Sequence, residues 1–233
     1  MDRVSFRPPE NKALRVEVAN EIVRAIANGH FKPGDRLVEQ HIAKEMGISR
    51  APIREALREL EGQGIVVTVP RKGAFVSHLG QEDVEELFTL RSVVEGLAAR
   101  LAATRVSGRD LAQLTRYTEE MVAAARRKDT EAFVARDLTF HELIWTRSEH
   151  KRLLKVLDGI RTLTRLFMVI SKHALTTDEQ LVQEAEGHKP IIEALGARDA
   201  ERAEAVIRAH ITQAGERVAK YLREREQKEE ATS

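Results

Sequence analysis

Residues 47–57 read Gly-Ile-Ser-Arg-Ala-Pro-Ile-Arg-Glu-Ala-Leu and carry the signals of a tight corner between two short helices. Gly47 ends the first helix. Ser49 is a good N-cap for the second, because its hydroxyl can accept an otherwise unpaired backbone N–H. Pro52 falls in the first turn, where its missing N–H costs little. The apolar residues that follow have the spacing of one helical face: Ile53, Ala56, Leu57 and Leu60. The segment therefore predicts a helix-turn-helix.

The sequence on both sides extends this motif. A helix with apolar residues at four-residue spacing begins near Leu14 and precedes the corner. After the corner, a β-branched run at 65–69, a Pro-Arg-Lys-Gly turn at 70–73 and a second extended run at 74–77 predict a β-hairpin. Three helices followed by a hairpin are the layout of a winged helix-turn-helix, with the hairpin as the wing.

After Gly80 the sequence predicts helix throughout. The six apolar-periodic segments are 81–105, 108–127, 130–147, 150–173, 177–197 and 199–226. Pro190 lies inside the fifth of them, where it can kink the helix. The predicted fold is mainly α, and its parts are a flexible arm at 1–11, a winged helix-turn-helix domain at 12–78, an all-helical six-helix bundle at 81–226 and a tail at 227–233.

Composition excludes several classes of protein. The chain has 233 residues, of which 42% are hydrophobic and 32% charged, with a net charge of +1. It has no apolar run of the roughly 18 residues that a membrane span needs, and its first residues lack the apolar core of a secretory signal. We therefore expect a cytoplasmic protein without a membrane partner. The absence of cysteine excludes disulfides, thiolate metal ligands and cysteine nucleophiles.

A row of arginines on the third predicted helix suits an anionic partner. Arg50, Arg54 and Arg58 recur every four residues, beside the apolar face and close to the helix N-terminus. Guanidinium groups placed in this way can contact phosphates or read guanine edges with two hydrogen bonds. The hairpin tip adds two cations and a glycine at 71–73. The alternative is that Arg54 and Arg58 only pair with neighbouring glutamates on a solvated helix.

Four polar side chains in the helical region fall on apolar helix faces. Asp137 and His141 lie one turn apart, and His188 and His210 each share a face with aliphatic residues. A single buried histidine is usually just a core residue, but a buried carboxylate is costly without partners. One divalent cation explains all four groups together. Imidazole and carboxylate ligands suit zinc first, with nickel, manganese or Fe(II) as alternatives.

Two further polar residues lie within apolar stripes. Arg91 can clamp a ligand carboxylate in the same cavity, or it can form an i, i+4 pair with Glu95. Thr164 can offer a hydroxyl to that cavity, or it can bond the carbonyl four residues earlier in its own helix. These two residues are the candidates for binding an effector.

The amino-terminal motifs resemble those of the GntR family of bacterial transcription regulators. The resemblance rests on Phe31-Lys-Pro-Gly-Asp-Arg-Leu37, on the run at 47–57 and on the stretch from Gly64-Ile65 to Lys72-Gly73. It implies a dimeric DNA-binding protein with its third helix in the major groove and its wing near the minor groove. On this chain it implies that Arg50 and Arg54 read base edges or adjacent phosphates. The supporting backbone contacts would come from Arg36, Ser49 and Lys72, with Gly73 at the wing tip.

The helical region resembles the FCD effector domain of the FadR-like subgroup of that family. The matching stretches are Asp137-Leu-Thr-Phe-His141, the run from Glu186-Gly-His188 to Asp199, and Ala209-His210-Ile211. The Asp/His spacing is that of the metal-binding branch. The resemblance implies an all-helical domain, a bound divalent metal and an organic-acid effector held by the metal and an arginine.

The two parts together predict a ligand-responsive transcription regulator rather than an enzyme. We expect a repressor that binds a palindromic operator as a homodimer and senses a small carboxylate. One alternative is a helical metalloenzyme that uses the Asp/His-bound metal to activate water. A second alternative is a constitutive DNA-binding protein in which the metal is only structural.

Overall fold

The computed structural model describes residues 12–173, 175 and 177–230. The chain divides into two compact units, with the boundary between His78 and Leu79. The expected arm at 1–11 lies outside the described residues. Among the described helices, none is long and apolar enough to cross a membrane.

The first unit contains the predicted helices and hairpin, together with a short additional strand. Its elements are α1 (Lys12–Ala27), β1 (Arg36–Leu37), α2 (Glu39–Met46), α3 (Arg50–Gly62), β2 (Val66–Val69) and β3 (Gly73–Val76). The hairpin pairs Val69 with Gly73. Strand β1 was not expected, because two residues are too short to show alternation. It pairs Arg36 with Phe75 and gives an antiparallel sheet of order β1-β3-β2.

The apolar face of α3 forms part of the core of this unit. All four residues of the predicted stripe on α3 are buried, and α3 packs against α1. Val18 and Ile22 of α1 are buried in the same unit. Burial of this face leaves the adjacent side of α3, with Arg50, Arg54 and Arg58, exposed to solvent.

The second unit is helical throughout its described residues. Its elements are α4 (Gln81–Ala102), α5 (Gly108–Arg126), α6 (Thr130–Arg147), α7 (Lys151–His173), α8 (Asp178–Glu186), α9 (Lys189–Gly196) and α10 (Ala200–Glu230). The predicted helix at 177–197 is wrong, since it is two helices, α8 and α9. Pro190 cannot donate a backbone hydrogen bond and its ring would clash with the preceding turn, so α8 ends at Glu186. Pro190 then lies in the first turn of α9, where proline is tolerated.

The last helix is longer than predicted. It continues to Glu230, so residues 227–230 belong to α10 and not to a tail. The sequence after 222 is rich in Arg, Glu, Gln and Lys, which all favour helix, and it contains neither glycine nor proline.

Helices α4 and α10 pack closely along their length. A Cβ atom added to Gly215 would lie 2.7 Å from the Cβ of Phe88, so this contact requires glycine. Three fully buried aromatic side chains fill the centre of the unit: Phe133, Phe140 and Phe167. His141, the next residue, is buried as well, and its ring lies 5.7 Å from that of Phe140, measured between centroids.

Candidate functional site

The predicted reading residues lie on the solvent side of α3. The side chains of Arg50 and Arg54 are 58% and 51% exposed. They are one helical turn apart, so both guanidinium groups lie on the same face. The structure therefore leaves both residues accessible to a partner in solution.

Glu39, at the start of α2, holds both arginines. Its Oε2 lies 2.9 Å from Nη2 of Arg50, and its two oxygens accept from Nε and Nη2 of Arg54 at 3.3 and 3.2 Å. These hydrogen bonds, with that of Arg54 first, lower the pKa of Glu39. Arg54 thus pairs with Glu39 of α2, whereas the alternative paired it with a neighbouring glutamate of its own helix. Sequence reasoning missed Glu39, because its partners follow 11 and 15 residues later.

Ser49 occupies the N-cap position of α3, as predicted. Its backbone is extended, with φ −73° and ψ 164°, but its hydroxyl makes no capping hydrogen bond to the described first turn of α3. The expectation that this hydroxyl satisfies a backbone N–H is therefore wrong. An exposed hydroxyl beside the helix N-terminus can instead donate to an anion.

The remaining predicted contacts of this unit lie at the wing. The turn closes with the N–H of Lys72 donating to the carbonyl of Val69 at 3.0 Å. Gly73 follows with φ +106°. A Cβ atom on Gly73 would lie 3.3 Å from Nε of Arg36, so the guanidinium group of Arg36 packs directly over this glycine. The pairing of β1 with β3 thus brings the guanidinium group of Arg36 against Gly73 of the wing.

In the second unit, the structure brings together the four predicted metal ligands. Oδ1 of Asp137 on α6 lies 3.4 Å from Nε2 of His141 and 3.3 Å from Nε2 of His188. The ring of His210 on α10 lies 4.4 Å from that of His188 and 5.7 Å from that of His141, measured between centroids. Asp137, His141 and His188 are buried and His210 is partly exposed. The four groups come from three elements that are distant in sequence.

Neighbouring groups orient the imidazoles of His141 and His188 so that their Nε2 atoms face Asp137. Nδ1 of His188 donates to the carbonyls of Ala185 and Glu184, at 3.1 and 3.3 Å. Nδ1 of His141 lies 2.8 Å from Oε2 of Glu95. A carboxylate or carbonyl behind a histidine is the usual outer support of a metal ligand, because it fixes the tautomer.

The protonation equilibria of the cluster are strongly perturbed. Burial opposes the charge of His141, yet the carboxylates of Glu95 and Asp137 raise its pKa to about 9. Burial also opposes the charge of Asp137, but Lys172 and the two histidines hold its pKa well below the usual range. Burial and the two neighbouring imidazoles lower the pKa of His210. The cluster therefore stabilises positive charge beside Asp137.

This donor set fits a divalent transition metal. It offers three imidazole nitrogens and a carboxylate oxygen, without thiolates. The ligand nitrogens of the three histidines all lie within 4.8 Å of one another. Nitrogens that share one zinc ion lie about 3 to 3.5 Å apart. A small inward movement of the side chains is enough to bring them into ligand distance.

Arg91 lies beside this cluster but is paired. Its Nε donates to Oε1 of Glu95 at 2.8 Å, and both side chains are buried. The i, i+4 pair that the sequence left open is thus formed. Glu95 also accepts from Nε1 of Trp145 at 2.9 Å. Glu95 therefore joins Arg91, Trp145 and His141 in one buried network.

Three of the four predicted ligands, Asp137, His141 and His210, line a hollow that is nearly closed, and His188 does not line it. Its volume is about 20 Å³, close to that of one water molecule, whereas ligand pockets usually measure several hundred. Arg91 lines the hollow, as predicted. Thr164 is buried on α7 but does not line it, since that helix contributes Met168, Ser171 and Lys172. The cavity that the sequence predicts beside these ligands is therefore present, but in this arrangement it is too small for an organic acid.

Sequence reasoning also missed two ionic residues beside the hollow. Nζ of Lys172 lies 3.4 Å from Oδ2 of Asp137 and 3.0 Å from Oε1 of Glu184. Burial opposes the charge of Glu184, but Lys172 and Arg217 hold its pKa at about 2. A signal was present in each case. Lys172 follows Thr164 by eight residues, on the same helix face, and Glu184 precedes His188 by four.

Comparison with known proteins assigns the two units to described domains. The family described as "Bacterial regulatory proteins, gntR family" matches residues 14–76, and the FCD domain matches residues 86–213. The latter match covers more than half of the chain.

Whole-chain relatives give the same result. The chain is 34% identical to a probable D-xylose utilization operon transcriptional repressor of Paenarthrobacter nicotinovorans, over 84% of each chain. It is 30% identical to the uncharacterized HTH-type transcriptional regulator YdhC of Bacillus subtilis, over 88% of this chain and 91% of that one. The solved structure of Escherichia coli McbR/YncC shares the fold, with a TM-score of 0.74, 24% identity and coverage of 86% and 94%.

These relatives are transcriptional regulators, which sets aside the metalloenzyme alternative raised by the Asp/His cluster. The mainly α fold, with a winged helix-turn-helix followed by a helical domain, is the one that the sequence predicted. The chain belongs to the gntR family of bacterial regulatory proteins and joins the DNA-binding domain of that family to an FCD domain.

Proposed function

We propose that this regulator is a repressor that binds a palindromic operator as a homodimer and responds to a small organic acid through a divalent metal. The observation that carries the proposal is the convergence of Asp137, His141, His188 and His210 inside the FCD domain. We assign DNA binding to residues 12–78, and effector binding and dimerisation to residues 81–226.

The DNA contacts are divided between α3 and the wing. Arg50 and Arg54 read base edges, and their exposure and shared support by Glu39 favour this role. Ser49, Arg36 and Lys72 contact the DNA backbone, and Gly73 lets the wing approach a groove closely. Backbone contacts position the protein, while base contacts supply specificity.

The effector and metal share the hollow of the FCD domain. Zinc is the metal that we favour, because it binds imidazole nitrogen and carboxylate oxygen, and it can expand from four to five ligands to take an effector oxygen. Nickel, manganese and iron remain alternatives for the same donor set. Arg91 contributes a positive charge to the effector's carboxylate while it stays paired with Glu95. Because the hollow is nearly closed, effector binding must enlarge it.

An exposed apolar stripe on α4 supports dimerisation. Leu90, Val93 and Leu97 are 42%, 50% and 41% exposed and are spaced as one face of the helix. Exposed apolar side chains in a row are typical of an interaction surface. A second copy of the chain would bury this stripe against its own equivalent across a two-fold axis.

Replacing Val93 with glutamate is expected to convert dimers into monomers. A charge buried in an apolar interface has no counter-charge, so we expect dimer affinity to fall by about 100-fold or more. Light scattering coupled to size-exclusion chromatography measures the change. Val67→Glu is the matched control, because Val67 is 48% exposed and lies on β2, in the other unit. A Val93→Glu variant that stays dimeric would place the interface elsewhere.

The metal-dependent response to acids tests the proposed function directly. Operator sequences selected from a random DNA pool serve as the probe, and fluorescence anisotropy measures their affinity for full-length protein. With zinc bound, at least one acid in a panel of hydroxy- and dicarboxylic acids should weaken DNA binding by about tenfold, or 1.4 kcal/mol. Chelation should remove the response but not the DNA binding. If no acid changes operator affinity, the protein is a constitutive DNA binder with a structural metal.

A further inference from the structure

Glu184 on α8 holds two cations with one oxygen atom. Its Oε1 accepts from Nζ of Lys172 at 3.0 Å and from Nη2 of Arg217, which extends from α10. Lys172 is buried, and its Nζ lies 4.6 Å from the ring centre of Phe133. A lysine and an arginine that converge on one carboxylate form a site for a carboxylate group, and here the chain supplies that group itself.

Glu184 also lies between the closed hollow and an open groove. The groove runs between α8 and α10 and has a volume of about 500 Å³, within the range of small-molecule sites. Glu184 and His210 line both the groove and the hollow. A small molecule in the groove would therefore meet Glu184, Arg217 and His210 before it reached Asp137 and His141.

Two donors at this position lack partners. The hydroxyl of Ser171 is buried, lines the hollow and has no hydrogen-bond partner among the described residues. Nε of Arg217 is likewise buried without a partner within the described part of the chain. Unsatisfied buried donors are uncommon, because each loses its hydrogen bonds to water. Both would be satisfied by additional acceptor oxygens between α7 and α10.

We propose that Lys172, Arg217 and Ser171 form a carboxylate subsite of the effector pocket, and that Glu184 occupies this subsite until an effector carboxylate displaces it. The inference rests on the proposed effector-sensing function. The hollow is small in this structure because Glu184 occupies the subsite, and release of Glu184 toward the groove would enlarge it.

The charges around the hollow indicate the class of effector. With the imidazoles neutral, as metal ligation requires, the remaining charges cancel: those of Arg91, Glu95, Asp137, Lys172, Glu184 and Arg217. A divalent metal adds two positive charges to this neutral set, and displacement of Glu184 uncovers a third, so the opened hollow favours an anionic effector. Asp137 has one oxygen toward the histidines and the other toward Lys172, so the metal position and the subsite are neighbours. The matching effector is a short dicarboxylic acid, with one carboxylate at the metal and the other at Lys172 and Arg217.

The test compares binding of malonate and acetate to full-length wild type, Glu184→Gln and Glu186→Gln by isothermal titration calorimetry, with and without zinc. Glu184→Gln removes the competing charge with little change in shape. It should bind malonate about tenfold more tightly than wild type does, with a smaller gain for acetate. Glu186 is the matched control, since it lies on the same helix, is exposed and pairs with Lys189.

Adding Lys172→Met to Glu184→Gln should remove the gain. The proposal is overturned if Glu184→Gln shows no gain, if Glu186→Gln gains equally, or if the gain survives the loss of Lys172. Glu184→Asp, whose shorter side chain cannot hold both cations, should give a partial gain and serves if Glu184→Gln does not fold. Without zinc, part of the gain should persist, because Lys172 and Arg217 act independently of the metal. A protein that binds no zinc but keeps this gain would refute the metal-sensing function and still support the subsite.

Discussion

Replacing His188 with alanine is expected to lower zinc affinity by about 100-fold or more, because even the outer partners of metal ligands contribute about 10- to 100-fold. His188 is fully buried, and α8 carbonyls fix its Nδ1 while Nε2 faces Asp137. The imidazole is therefore already oriented for a metal. Competitive titration against a chromophoric chelator measures the affinity of the full-length protein for zinc.

Thermal unfolding provides an independent readout of the same substitution. Saturating zinc should raise the melting temperature of wild type, because a ligand that binds only the folded state stabilises it. The His188→Ala protein should show little increase. His30→Ala is the control, since His30 is exposed in the loop after α1, and it should behave like wild type. Wild-type zinc affinity in the His188 variant would place the metal elsewhere.

The second large effect is expected from Arg54→Ala. Loss of a bidentate contact to a base costs about 1–3 kcal/mol, so affinity for a selected operator should fall by roughly 5- to 150-fold. The substitution also leaves Glu39 with Arg50 as its remaining arginine partner from α3. Arg54→Lys keeps the charge but loses the planar pair of donors, and should recover only part of the affinity. Anisotropy titrations against the operator and against one-base variants measure both effects.

Lys72→Ala provides the contrast, because it removes a contact assigned to the DNA backbone. It should weaken binding similarly across sequences and reduce the dependence of log affinity on log salt by about one unit. Arg54→Ala should instead reduce discrimination between operator and one-base variants. If Arg54→Ala leaves operator affinity unchanged, Arg54 does not read a base and its role is confined to the pair with Glu39.

The periodic features of this chain could be predicted from sequence because they depend on local spacing. The apolar stripe predicted which face of α3 is buried, and the β-branched runs around the 70–73 turn predicted the hairpin. Asp137 and His141 could be paired because residues four apart on a helix point the same way. Their convergence with His188 and His210 required only that apolar faces point inward.

The break between α8 and α9 needed a judgement that periodicity cannot supply. The apolar residues before and after Gly187 fit one continuous helix, and only the steric requirement of Pro190 separates them. The consequence for the site is specific. His188 falls at the N-cap of α9, so its Nδ1 bonds the last turn of α8 instead of lying inside a helix.

Lys172, Glu184 and Glu39 were missed because their roles depend on partners that are distant in sequence. Lys172 is a charged residue near the end of a helix, a position that usually faces solvent. Its burial is understandable only once Asp137 and Glu184 are placed beside it. Glu39 likewise has no arginine within its own helix, and the fold supplies both of its partners from α3. Charge pairing between elements is set by tertiary structure, so helical spacing could place Lys172 and Glu184 on a helix face but could not show which residues they pair with.

The hydrogen bonds from His188 to the carbonyls at the end of α8 have a consequence for how acid and metal affect each other's binding. In the proposed mechanism, the last turn of α8 couples the acid to the metal, because the side chain of Glu184 competes with the acid while its carbonyl orients His188. Any acid that changes the affinity of the protein for zinc must have its own affinity changed by zinc by the same factor. The operator occupancy of such a repressor would depend on the concentrations of the acid and of zinc together, and not on either one alone.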